Sequence, residues 1–526
     1  MKKNLLIATL SLLALCGCGD EYLDFSPTSS GSGDALLSSA STAISSMNGI
    51  YRSMWTAGWS TTGNTHMAFG IGAHNIAMEA MGDDFIMQAR GNGWFWADHC
   101  YTVKANYTSS SYRAYDVWFA NYNWINNVNN IIDYEQTMEG SPEDVAYVVG
   151  QAYAVRALCY YNLSVWFSRS PIATRSYTSG ERGDEVVRWD EKCVPIYTTG
   201  TTIETSGNPR STIREVYDRI FEDLDKGIEL LEQGQESQLN KGNKSHFGLY
   251  AALALKARVC LAANEWQDAY DAARRVIDEG GYTVGSESDL MSGMNSIDLP
   301  NVIWGAGVNN TEQASAYASF FGHMDNANGA YAKSAPKLIS KNLYNKIGAN
   351  DCRRKWWDPD NEESPYLSSK FSFADVSTSL GDPIYMRVEE MYFDAAEAAV
   401  RLEMEDEART LMNTVMAPRD PSYSADGLSG TALGATTTTY RGSLLEDILI
   451  QKRIELWGEF GRVADVKRLG QGISRSTEDG FSSTCITSMN NKGVDITNPA
   501  TWDWVQMIPK KEIDSNPNIN QEDQNQ

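Results

Sequence analysis

Residues 244–284 read KSHFGLYAALALKARVCLAANEWQDAYDAARRVIDEGGYTV. Apolar side chains recur at three- and four-residue intervals on both sides of Ala263-Asn264-Glu265, a connection too short to hold another element, so the stretch predicts two helices folded into a hairpin. Ala252, Ala257, Ala269 and Ala273 are small enough to let the two helices approach. Trp266 and Tyr270 are placed to fill the space beside them.

A second stretch, YMRVEEMYFDAAEAAVRLEMEDEARTLMNTVM (385–416), supplies another such pair. The pattern resembles a tetratricopeptide repeat, whose period is about 34 residues. One unit cannot bury its own apolar face, so the hairpins must stack on one another. Upstream, DALLSSASTAISSMNGIYRSMW (34–55) reads as a helix with Asp34 placed to cap it, and further helices are expected near 112–136, over Pro142–Phe167, and from Ser211 to about Glu232. Residues 281–384 have a different texture, with Gly, Asn, Ser and Pro breaking the period and aromatics scattered through. Long irregular segments of this kind are usually functional loops. Trp304 in NVIWG reads as a buried strand residue and Trp356-Trp357 as packing. The expected fold class is therefore mostly all-α with few short strands, in one body over 35–526: helical repeats over 35–280, loops over 281–384 and a helical part over 385–526.

The N-terminus is distinct. Lys2 and Lys3 precede an apolar run, Leu5–Leu15, of about eleven residues, where a spanning helix needs roughly 20. Basic start, short apolar core and small residues before a cut describe a secretory signal peptide over 1–17. Leu15-Cys16-Gly17-Cys18 resembles the bacterial lipobox, in which the cysteine after the cut is acylated; Cys18 follows Gly17 and is the better mature N-terminus. Acyl chains at ~0.8 kcal/mol per buried CH2 would hold the protein on a membrane. Residues 18–34, rich in Ser and Gly, look like a tether. Gly19-Asp20-Glu21 resembles the acidic tag that sends some Gram-negative lipoproteins to the outer face.

With 526 residues, a net charge of −24 and a pI near 4.7, the chain lacks the basic surface that nucleic acid or anionic lipid requires. The six cysteines after Cys18 (100, 159, 193, 260, 352 and 485) form no metal-binding spacing. No His pair flanks a catalytic Glu at i, i+4 either. No cofactor is expected; Ca2+ is allowed but nothing indicates it. Aromatics make up 11 %, including 15 Trp and 26 Tyr, a supply of flat stacking surface.

Several segments together resemble one family. RALCYYNLSVWFSRSPIAT (156–174) resembles the helix and exit loop of SusD/RagB-type lipoproteins. YMRVEEMYFDAAEAA looks like that family's R-x-x-E-x-x-L-x-x-A-E-A helix through Arg387, Glu390, Ala396, Glu397 and Ala398, with Phe393 for Leu. RIELWGEFGRVADVKRLG (453–470) is similar to its E-L-x-x-E-G-x-R-W-x-D-L-x-R segment through Glu455, Leu456, Glu459, Arg462, Asp465 and Arg468, with Phe460 for Gly and Val463 for Trp. MIPKKEIDSNPNINQ (507–521) resembles its ending. The resemblance implies a helical lipoprotein on the outer membrane, lying over a SusC-like TonB-dependent transporter and binding nutrient, usually glycan, without catalysis. From the residues alone, Glu455, Glu459 and Arg462 at i, i+4 and i+7 are predicted to share a helix face and pair. Glu390 and Glu397 read as ion-paired carboxylates rather than an acid and base.

Ligand sites belong on loops carried by the repeats. MGDDFIMQARGNGWFWADHCYTVKANYTSSSY (81–112) breaks period at Gly91 and Gly93; if the loop is extended, Trp94 and Trp96 point the same way. Two indoles on one side suit the apolar faces of sugar rings, with Asn92, Arg90, Asp83 and Asp98 to bond hydroxyls and Tyr101 nearby. A second cluster, Tyr317, Phe320, Phe321, His323 and Tyr331, lies in 309–333. The alternative packs both clusters into the core. Competing functions keep the fold but change the cargo to peptide or another nutrient, or make the chain an all-helical glycoside-cleaving enzyme needing two carboxylates across a cleft, or a repeat scaffold with a partner and no small ligand.

Overall fold

In a computed structural model, which describes residues 33–57, 65–101, 112–174, 177–178, 181–182, 185–309, 317–498 and 501–525, the 244–284 stretch forms the hairpin that its spacing predicts. Its helices span Leu249–Ala263 and Trp266–Glu279. Asn264 ends the first in the left-handed conformation (φ 62°), which a short polar side chain tolerates, and the Glu265 N–H returns to the Cys260 carbonyl at 2.9 Å. Ala252, Ala257, Ala269 and Ala273 are all buried. Trp266 and Tyr270 pack against Cys260, Leu261, Ala269 and Ala398. The Tyr270 hydroxyl donates to Glu407 Oε1 at 3.1 Å, and the Arg401 guanidinium lies 4.5 Å from the Trp266 ring. Those contacts stack this hairpin on the next, Val388–Arg401 with Glu405–Met416.

A second pair of long helices carries the N-terminal half. Pro142–Phe167 starts with Pro142 behind a Ser141 cap that accepts from the Asp144 N–H, and Ile213–Gln233 starts with a Thr212/Glu215 capping box. They approach closely because two glycines sit at the contact: a Cβ on Gly227 would lie 3.1 Å from the Ala154 N and the Gly150 O, and one on Gly150 would lie 3.0 Å from Leu231. Buried Arg156 fastens the pair, reaching Asp223 at 2.7 and 2.8 Å and the Asn129 Oδ1 at 2.7 Å. Asn129 lies on the neighbouring helix, Tyr112–Ile132.

The irregular region is ordered by short strands. Phe85–Met87, Lys337–Ile339, Leu367–Ser368 and Trp357–Asp358 form one antiparallel sheet in that order, with Phe85 opposite Ile339 and Met87 opposite Lys337. Val302–Gly305 pairs with Ile384–Arg387. Trp304, Trp356 and Trp357 are buried, as strand and packing residues. One apolar core runs from Ala40 to Ile508.

Two local expectations are corrected. The 34–55 helix is broken: Gly33–Leu37 and Ala40–Ser53 are separate helices, because Ser38 and Ala40 exchange backbone hydrogen bonds with Glu139. Asp34 therefore lies within the first helix instead of capping the longer one. Nor do Glu455, Glu459 and Arg462 share a helix face. The helix Leu444–Glu455 ends there, Gly458 and Gly461 take φ of 80° and 90°, and a new helix starts at Arg462. The Glu79 carboxylate stabilises this break by accepting the N–H groups of Gly458, Gly461 and Arg462 at 3.2, 2.9 and 2.8 Å. Arg462 then turns to Asp83 and Asp84, at 3.2 and 3.1 Å. The signal peptide, Cys18 and nearly all of the 18–34 tether lie outside the described residues.

Glu455 and Glu459 pair instead with cations from elsewhere in the chain. Arg387 reaches Glu459 at 2.8 Å, Glu455 at 3.0 Å and Glu389 at 3.0 Å. Arg419 reaches Glu455 and Glu389, both at 2.8 Å, Arg353 reaches Glu455 at 3.1 Å and Asp351 at 2.7 Å, and Lys370 reaches Glu459 at 2.5 Å. Four cations thus meet four carboxylates out of water. Burial alone would raise the Glu455 carboxyl, but Arg419 and Arg387 outweigh it and hold it well below the ordinary glutamate range. Glu455→Gln leaves its guanidinium partners short of charge and is expected to cost about 3–5 kcal/mol, read as a lowered thermal midpoint at pH 7. Because the folded carboxyl is depressed, this contribution is complete above the ordinary value of about 4.3 and fades as pH falls below it; the gap between wild type and variant is expected to narrow in acid.

Candidate functional site

The loop that leaves the Phe85–Met87 strand is bent at three successive odd positions. Gly91, Gly93 and Phe95 have φ of 50°, 92° and 61°, and the Gly93 N–H closes a turn onto the Arg90 carbonyl at 2.8 Å. Only glycine fits at 91, where an added Cβ would run into the Ser334 backbone. Left-handed Phe95 breaks the alternation of an extended chain, so Trp94 and Trp96 do not enter one stack. Phe95 itself is fully buried, edge-on to Phe69 and His323, with the Arg113 guanidinium 5.1 Å from its ring.

Trp94 leads into an aromatic cluster. Its indole stacks on His66, centroids 4.8 Å apart and planes 16° from parallel, and lies edge-on to Tyr331 at 6.0 Å. The Tyr331 hydroxyl meets His66 Nδ1 at 2.6 Å, and its ring stacks on His323 at 4.8 Å. Tyr317, 57 % exposed, stands 6.2 Å from Tyr331 at the outer edge. Asn326 holds the supporting turn in place by donating to the Lys337 and Ser368 carbonyls at 3.0 and 2.8 Å, while Asp325 accepts from the Ala327, Asn328 and Phe373 N–H groups.

The cluster thus brings together Trp94, Tyr317 and Tyr331 from two distant loops. Asn92 and Arg90 are exposed on the first loop. Trp96 is half-buried and packs against His99 at 5.5 Å, apart from that stack. The remaining nominated residues are spent inside. Asp83 is buried against Arg462 and Arg453, and Asp98 receives Arg113 at 3.1 Å. Buried Tyr101 donates to the Met81 carbonyl at 2.6 Å, and Phe320 packs edge-on against Phe321 and Phe371. His66 was not singled out from the sequence: THMAFG carries no motif, and only its stacking partners give it a role. Among the described residues, no group of three or more His, Cys, Asp or Glu is arranged to hold a metal ion.

Residues 22–261 match the family profile described as "Starch-binding associating with outer membrane", and residues 308–525 match that of the SusD family. The chain belongs to the SusD family. Among solved structures, a SusD-like carbohydrate-binding protein from Bacteroides vulgatus superposes with a TM-score of 0.73 at 23 % identity, over 92 % of this chain and 98 % of that one. A SusD superfamily protein from Bacteroides thetaiotaomicron gives 0.70 at 21 %, over 93 % and 100 %. Surface glycan-binding protein A of Bacteroides thetaiotaomicron, solved in complex with laminarihexaose, gives 0.64 at 14 %, over 91 % and 98 %. No curated protein matches the chain. The fold is mostly helical on a tetratricopeptide-like scaffold, as expected.

Beneath the cluster lies buried Lys337, whose ammonium donates to the Ala335 carbonyl. Burial pushes it down to about 7, and burial together with Lys337 pushes His323 down to about 3. Lys467, bonded to the Val165 and Ser168 carbonyls, is likewise pushed down by burial to about 7. Unfolded lysine titrates near 10.4. Between about pH 7 and 10 the unfolded chain therefore holds more protons than the folded one, so stability rises with pH across that window. Lys337→Met is expected to stabilise the protein at pH 7, by on the order of 2 kcal/mol. In calorimetric scans from pH 7 to 9 it should also remove its share of the rise, leaving that of Lys467.

Proposed function

We propose that this protein is a surface glycan-binding lipoprotein that delivers oligosaccharide to a SusC-like TonB-dependent transporter in the outer membrane. The observation that carries the reading is the ring cluster of Trp94, His66 and Tyr331, opening to exposed Tyr317. Aromatic faces take the apolar faces of sugar rings, and the exposed Asn92 and Arg90 supply amide and guanidinium donors for hydroxyls. A relative of the same fold holding laminarihexaose supports the same cargo class. Lipid attachment through Cys18 fits a family profile named for its association with the outer membrane; no helix among the described residues is long and apolar enough to cross a membrane. Glu390 and Glu397, expected from the sequence to be ion-paired, are both engaged by arginines: Glu390 by Arg258, and Glu397 by Arg468 at 2.7 and 2.8 Å. That supports a binder over an enzyme.

Affinity electrophoresis and calorimetry with laminarihexaose and a panel of host, plant and microbial polysaccharides test the reading. Retardation on at least one glycan is expected, with no reducing ends released. Trp94→Ala and Tyr317→Ala should each weaken binding about tenfold, the loss of one stacking face at ~1.4 kcal/mol. Peptide binding that survives both substitutions, with no glycan bound, would move the cargo to peptide and overturn the proposal.

A further inference from the structure

A groove of about 540 Å³ opens elsewhere on the molecule, along the Tyr112–Ile132 helix. That size is ordinary for a small-molecule site. Its floor is a stripe of the helix: Tyr115, Phe119, Tyr122, Asn123 and Asn126 recur at three- and four-residue steps and so share one face. Arg113, which braces Asp98 under the tryptophan loop, is two residues from Tyr115, or about 200° around the helix. The groove therefore faces away from the Trp94 cluster. The Tyr115 and Phe119 rings lie within 16° of parallel, and Tyr197 stands edge-on to Tyr122 at 5.9 Å.

The walls are firmly built. The 197–207 loop is fastened to the helix turn after turn, as Asn126 Oδ1 accepts from the Thr201 N–H and hydroxyl at 2.7 and 2.9 Å, Asn129 donates to the Tyr197 and Thr199 carbonyls, and Asp133 accepts the Gly200 N–H. The C-terminal 509–515 segment closes the other side. Asn516 Nδ2 donates to the Asn208 carbonyl at 3.0 Å, Asn518 Nδ2 to the Gly207 carbonyl at 2.6 Å, and the Lys511 ammonium lies 3.2 Å from the Tyr115 hydroxyl.

The chemistry of this lining selects the ligand. Asn126 spends its carbonyl on Thr201 and Asn123 spends its own on Asn127, so each presents an amide NH2 to a groove whose floor is aromatic. Lys511 and Glu512 are the charged side chains among its lining residues, one of each sign. Rings beneath, amide donors beside and no net charge match a neutral polyhydroxylated ring, and disfavour nucleotides, phosphates and acidic peptides. We infer that this groove is a second carbohydrate-binding site, independent of the Trp94 cluster, that holds a short stretch of glycan on the opposite side of the helix. The inference shares its cargo class with the proposed function but not its residues.

Calorimetric titration of the purified chain with laminarihexaose, maltohexaose and cellohexaose tests it. For a hexaose that binds, wild type is expected to show two sites, and Trp94→Ala to keep the second with its affinity changed less than twofold. Asn123→Asp/Asn126→Asp retains the carbonyl-type acceptors for Asn127 and Thr201 while removing both donors. It should weaken the second site at least fivefold, leave the first unchanged and keep the thermal midpoint. Phe119→Ala serves as the independent variant, with the same selective loss. A single site in wild type, abolished by Trp94→Ala, overturns this inference and leaves the proposed function standing. Two sites insensitive to both groove variants also overturn it, since the second then lies elsewhere. Binding of none of these sugars, or of any panel glycan, overturns both readings together.

Discussion

The buried charge cluster around Glu455 is the constraint on which the other parts depend. Arg387 comes from the end of a strand, Glu389 from the first turn of the following helix, Arg419 from beyond the second hairpin, Arg353 and Lys370 from the loop-rich region, and Glu455 and Glu459 from the end of another helix and the turn after it. Desolvating so many charges is costly, and replacing a whole buried set by apolar side chains is often neutral or stabilising. Its effect is geometric: any arrangement that separates one member leaves a bare charge in the core, so segments distant in sequence are held to one relative placement.

That placement reaches the aromatic cluster through a short chain of contacts. Lys370 also donates to the Glu455 and Trp457 carbonyls at 2.7 and 2.8 Å. Trp457 donates its indole N–H to the Asp84 carbonyl at 2.9 Å and stacks on Phe85 at 5.0 Å. Phe85 begins the strand from which the Trp94 loop departs, and the Lys337–Ile339 strand beside it follows closely after the short helix, Ala330–Ser334, that carries Tyr331. The two halves of the ring cluster are thus neighbours across one small sheet, indexed by the ionic core. Functional loops on a rigid scaffold follow the same logic in many folds.

Legibility in the sequence followed the range of the interaction. Alanine-rich helical periodicity exposed both hairpins, because helices record their packing face at short spacing. The same reasoning failed at Glu455–Arg462, where two left-handed glycines and the distant Glu79 end one helix and begin another. It also failed at Ser38–Ser39, where pairing with Glu139 interrupts a sound helical pattern. At the site, Trp94, Tyr317 and Tyr331 were legible as aromatics on loops. Asp83, Asp98 and Tyr101 were legible only as polar residues nearby, and their burial follows from Arg462, Arg113 and the Met81 carbonyl, partners 15 to 379 positions away or set by an irregular turn.

By itself, then, the sequence determined the helical hairpins, which rest on local spacing, and carried the motifs by which the chain resembles its family. The tertiary structure alone decided that Trp94 meets His66 and Tyr331 while Trp96 turns elsewhere, and that Glu455 serves three arginines. It alone made a groove of one helix face, the 197–207 loop and the C-terminal tail. The physical reason is that ring stacking, buried ion pairs and left-handed turns depend on what approaches from far along the chain, and side-chain spacing carries no record of that approach.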